Sequence, residues 1–113
     1  MIATMDPRTK ERHEFVPQAI LKKSLAFFTE RGICFRTDID DLSEFQVAEL
    51  SLDGDLPFAL MRHEGAPADE TEIYLPDTIP LADIPLVIGR ILKELDLSTA
   101  SVKWQRQRAD RPF

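Results

Sequence analysis

Residues 45–63, FQVAELSLDGDLPFALMRH, constrain this chain more than any other stretch. Asp53-Gly54 stands between two apolar runs. Such a dipeptide closes a hairpin, because both central turn residues must accept φ > 0. On the first run Ala48, Leu50 and Leu52 share one side and Glu49 and Ser51 take the other, which is the period of a strand. On the second run Leu56, Phe58 and Leu60 alternate with Pro57, Ala59 and Met61, so both sides are apolar. A strand of that kind belongs inside a sheet, covered at least partly on both faces. After a loop marked by Gly65 and Pro67, residues 71–75 return as a third strand. Ile73 and Leu75 form its apolar side, and Glu72 and Tyr74 the other.

The flanking segments supply the rest. Ile20, Leu21, Leu25 and Phe28 recur at helical spacing, with Phe27 beside them. Pro17 suits the first turn and Gly32 a stop. This predicts a helix over residues 17–31. Residues 33–39 alternate as a half-buried strand, and residues 38–44, DIDDLSE, read as a loop. Pro76, Pro80 and Pro85 exclude a helix interior between the third strand and residue 83. Beyond them Ile84, Ile88, Ile91, Leu92 and Leu95 mark a second amphipathic helix with Asp83 at its N-cap. Gly89 inside that helix implies close backbone packing. Val102 and Trp104 alternate with Lys103 and Gln105 in a last strand.

The expected fold is therefore α+β. It is a two-layer sandwich with an antiparallel meander sheet of about five strands and two helices on one face, in the order α-β-β-β-β-α-β. A chain of 113 residues, 43% apolar and 30% charged, is long enough for one such core. Residues 1–14 read as a polar, flexible arm, 15–106 as a single domain and 107–113 as a tail. Nothing in residues 1–4 looks structurally demanding, so Met5 is an alternative start.

Helix-first, meander-next order over about residues 17–95, with an acidic pI near 4.8, loosely resembles bacterial secretion-chaperone domains. The resemblance rests on element order and implies a protein partner. The chain departs from it after residue 95, with one strand and no closing helix.

Charge narrows the function classes. The net charge is −6, but residues 38–96 carry −12 while residues 1–37 and 97–113 carry +3 each. The acidic middle opposes nucleic acid and anionic lipid, despite Lys103, Arg106, Arg108 and Arg111 near the end. There is no targeting segment and no apolar run long enough to span a membrane. The single cysteine, Cys34, makes no internal disulfide, which favours a reducing, cytoplasmic setting.

No constellation of catalytic residues stands out. Metal ligands must converge, yet His63 and Glu64 are neighbours on a strand and point to opposite faces, and His13 lies in the arm. The loop offers Asp38, Asp40, Asp41 and Glu44 at spacing near that of a calcium loop. However, Leu42 stands where a ligand belongs and Ser43 where glycine is required. Cys34, between Ile33 and Phe35, reads as a buried, inert thiol. No metal or cofactor is expected.

The candidate binding residues are Arg62, His63, Glu72 and Trp104. Arg62 and His63 end the most apolar strand on opposite faces, with Glu72 or Tyr74 as a cross-strand partner. Trp104, flanked by basic residues on a terminal strand, is either buried under the helices or an interface anchor. The expected function is a non-catalytic interaction or regulatory protein (an adaptor, inhibitor or chaperone-like domain) acting on another protein or a second copy of itself. The alternative is a small-ligand binder or enzyme at the Arg62–His63 rim.

Overall fold

The computed structural model describes residues 2–4, 14–39 and 43–105. Its centre is the hairpin of β4 (Glu44–Leu52) and β5 (Leu56–His63). Asp53 and Gly54 adopt φ of 55° and 80°, and the Asp55 amide donates to the Leu52 carbonyl at 3.2 Å. β6 (Thr71–Pro76) follows on β5, and β3 (Arg36–Ile39) precedes β4 on its other side, so β3 to β6 form the expected meander.

The sheet is larger than the pattern predicts. β1 (Ile2–Thr4) pairs with residues 50–52 of β4, β2 (Phe15–Leu21) pairs with β6, and β7 (Val102–Gln105) lies outside β2. The seven strands run β1-β4-β5-β6-β2-β7, all neighbours antiparallel, with β3 also on β4. Two α-helices are present among the described residues: α1 (Leu25–Thr29) and α2 (Ile84–Glu94). The two-layer, five-strand sandwich is thus corrected to a seven-stranded sheet with partial helical cover. A helix of eleven residues is about 16 Å long, whereas six adjacent strands span about 24 Å.

The helix over 17–31 is the main error. Residues 15–21 are a strand and helix is confined to 25–29, which also removes the helix-first order behind the secretion-chaperone resemblance. Two features let Pro17 sit in a strand. The β2–β6 register slips between Pro17 and Ala19, and β7 pairs only with residues 19–21, so nothing on that side asks Pro17 for an N–H. Ile2–Thr4 likewise leaves the arm to become an edge strand. Met1, residues 5–13 of the arm and the 107–113 tail lie outside the described residues.

The core forms on one face. Opposed residues of an antiparallel pair share a face. Ala19, Ile73, Leu60 and Ala48 therefore make one row, and Phe58 and Leu50 part of the next. All are at most 2% exposed, and they cluster with Phe28 of α1 and with Ile84, Ile88, Ile91, Leu92 and Leu95 around α2. The predicted α2 stripe is buried in full. Phe28 meets Phe27 and Phe35 edge-on, at centroid distances of 5.1 and 6.4 Å.

Strand order explains why both helices lie on that side. β2 and β3 run parallel and are joined through α1; β6 and β7 run parallel and are joined through α2. The two crossovers travel in opposite directions across the sheet, on strands of opposite sense. Sharing one hand, as such connections do, they must share one face.

Two local expectations are corrected. Cys34 is exposed, because Ile33 and Phe35 turn inward on either side of it in the link before β3. Gly89 is not packed closely: an added Cβ would meet nothing within 4 Å. Gly89→Ala is accordingly expected to raise stability by about 0.5–1 kcal/mol through backbone entropy and helix propensity, read as a higher melting temperature.

Candidate functional site

The face opposite the helices carries the candidate residues. Register sets one straight row across six strands: Arg36, Val47, Met61, Glu72, Ile20 and Trp104. Beside it lie Glu49, Ala59, Tyr74 and Pro17, and at the rim Phe45 and His63. No helix covers this face among the described residues. An antiparallel sheet with one free face ordinarily makes that face polar. Here it holds Phe45, Val47, Pro57, Met61, Tyr74, Ile20 and Trp104. Val47 is 4% exposed and Ala59 2%, Met61 and Tyr74 are half-buried, and Trp104 is 45% exposed.

The charged members of the face are paired across strands. The Arg36 guanidinium donates to Glu49 Oε1 at 2.6 Å, with Asp38 4.0 Å away. His63 Nδ1 lies 3.2 Å from Glu72 Oε1, and both side chains are about one-third exposed or less. The imidazole stands between two rings, 5.6 Å from Phe45 and 6.5 Å from Tyr74 by centroid. At the β7 edge Lys103 donates to Glu70, and this hydrogen bond and charge raise the Lys103 pKa above its ordinary value.

Arg62 is elsewhere. It continues the helix-side face, opposite Gln46, and its guanidinium donates to the carbonyls of Pro67, at 3.3 Å, and Ala66. It thus clamps the 64–70 rim loop onto its own strand. The cavity beside it, lined by Glu44, Phe45, Gln46, Arg62, Glu64 and Gly65, measures about 190 Å³, below the usual size of a small-molecule site. His63 and Glu72 are brought together, Trp104 lies two strands from Glu72 in the same row, and Arg62 is separated from all three.

Sequence reasoning missed Ile20 and Phe45 as members of this face. Ile20 was assigned to a helical stripe, although Phe15, Val16 and Ile20 in one short run were an available strand signal. Among the described residues no three His, Cys, Asp or Glu side chains are grouped to hold a metal ion, and no helix is long and apolar enough to cross a membrane. Comparison with protein-family models, curated proteins and solved structures finds no match.

Two measurements check these contacts. A double-mutant cycle of His63→Ala and Glu72→Gln is expected to give a coupling of about 0.5–1 kcal/mol in chemical denaturation, the size of a partly exposed hydrogen-bonded pair. Arg62→Ala is expected to cost about 1 kcal/mol and to speed amide hydrogen exchange in residues 64–70 ahead of the sheet.

Proposed function

We propose that this chain is a non-catalytic interaction protein of the adaptor, inhibitor or regulator class. The sheet face opposite the helices engages another protein or a second copy, in a cytoplasmic setting. The observation that carries this reading is the make-up of that face: apolar and aromatic side chains, with charges already paired within the sheet. Large apolar patches on one face mark interaction surfaces, and Trp, Tyr, Phe, Met and Arg are the residue types enriched in them. The −12 middle of the chain opposes a nucleic-acid partner. The rim alternative loses ground because Arg62 is committed to its own loop and the cavity there is small.

Met61→Glu combined with Trp104→Glu tests the reading, since both side chains reach the surface and neither belongs to the helix-side core. Sedimentation velocity and crosslinking in source cells, followed by titration of the captured partner, are the measurements. The expected outcome is a saturable complex of the wild type, weakened at least about tenfold in the variant, with the melting transition retained. A wild type that stays monomeric and forms no saturable complex, or a variant that binds equally well, would overturn it.

A further inference from the structure

The order of residues across the face opposite the helices carries information beyond its composition. Its straight row reads Arg36, Val47, Met61, Glu72, Ile20 and Trp104 from β3 to β7. The adjoining row reads Glu49, Ala59, Tyr74 and Pro17 from β4 to β2. Turned end for end and laid face to face, each row complements itself. Val47 then meets Ile20, and Ala59 meets the Tyr74 ring. Met61 meets the stem of Glu72, whose carboxylate stays with His63. Arg36 meets the Trp104 ring. Large or flat side chains thereby oppose small ones, which lets two sheets about 10 Å apart interdigitate. Arg36 keeps its in-chain contacts in this arrangement. Glu49 and Asp38 both lie at its Nη2, and its side chain is 55% exposed, so the plane of the guanidinium is presented to a ring. Trp104 is 45% exposed.

We propose that this face binds a second copy of the chain in that orientation, as a two-fold dimer whose axis runs parallel to the strands. The proposal rests on the interaction reading above and names its partner. Charge selects the orientation. A two-fold axis along the row would set each residue on its own counterpart, so that Arg36 and Glu72 would each face a like charge. The strand-parallel axis separates these charges and places the cation on an aromatic ring. Such a contact is isologous and closes at two copies. Its size is sufficient. β5 has eight residues, so the face measures about 26 Å along the strands and about 24 Å across six of them. Two such faces cover about 1,200 Å² in total, the lower end of specific interfaces, which corresponds to a reversible dimer. A face shaped for an unrelated protein has no reason to complement itself.

Sedimentation equilibrium of the purified full chain is the test, with a monomer–dimer equilibrium of Kd on the order of 10 μM expected. Arg36→Ala and Trp104→Ala supply the decisive cycle. Within one chain these positions stand five strand spacings apart, about 24 Å, too far to couple. Across the dimer they touch, twice. Each single change is expected to weaken dimerisation about fivefold or more, with the melting temperature retained. The double change is expected to weaken it by clearly less than the product of the two. Arg36→Gln replaces the alanine variant if that one melts early. A chain that stays monomeric up to about 500 μM, or single effects that simply multiply, would overturn the proposal. A monomer that still forms a saturable complex with a captured protein removes the second copy alone and leaves the interaction reading standing.

Discussion

The fold depends on the apolar contact between the α2 stripe and the inner rows of the sheet. Ile88 and Ile91 are at most 1% exposed, and Leu50, Phe58, Leu60 and Ile73 beneath the helices at most 2%. Each such side chain contributes on the order of 1.5–3 kcal/mol by leaving water. Alone, the hairpin would expose one apolar face and α2 an apolar stripe, and neither would be stable in water. The proline-rich 76–85 crossing carries the chain out of β6, so that α2 begins where its stripe can meet the sheet. The chain then leaves α2 to place β7 beyond β2, so one contact organises both edges of the structure.

The same contact fixes which face no helix covers among the described residues. Two parallel connections of one hand, running opposite ways on strands of opposite sense, put both helices on a single side. The distribution of charge follows. Arg36 pairs with Glu49, and His63 contacts Glu72, within that face, while Asp53, Asp83, Glu94 and Asp96 sit at turns and helix ends. Arg90 of α2 donates to Asp53 at 2.9 Å and ties the helix to the hairpin turn, an exposed pair that adds little energy.

Legibility in the sequence tracked how local the determinants are. The Asp53-Gly54 hairpin, β6 and the α2 stripe each rest on a turn residue or on periodicity within a dozen residues, and they were readable. Residues 15–31 were not, because Leu21 and Phe28 fit either period: both are buried in the same core, one from the end of a strand and one from a short helix. What decides between the two is the open edge of β6, which residues 15–21 fill, and no local rule contains it. β1 is three residues long and owes its existence to the edge of β4. The His63–Glu72 pair was within reach of strand alternation alone. The row joining Glu72 to Trp104 through Ile20 was not, since it needs β2 as a strand. The cleft between β1, the turn after α1 and the end of α2 was further still, with lining drawn from four separate segments.

The composition of the free face is a choice that folding does not impose. One buried face suffices for an antiparallel sheet, and Thr, Lys or Glu at positions 20, 45, 61, 74 and 104 would satisfy strand pairing while facing water. Instead those positions hold Ile, Phe, Met, Tyr and Trp. Cross-strand pairing of the charged neighbours removes their claim on solvent, which lowers the desolvation cost of covering the face. The acidity of the loops and helix ends lies around this surface rather than on it, where it acts at longer range and is screened by salt. In the interaction reading, apolar area on the face supplies affinity, while rim charge governs the rate and selectivity of encounter.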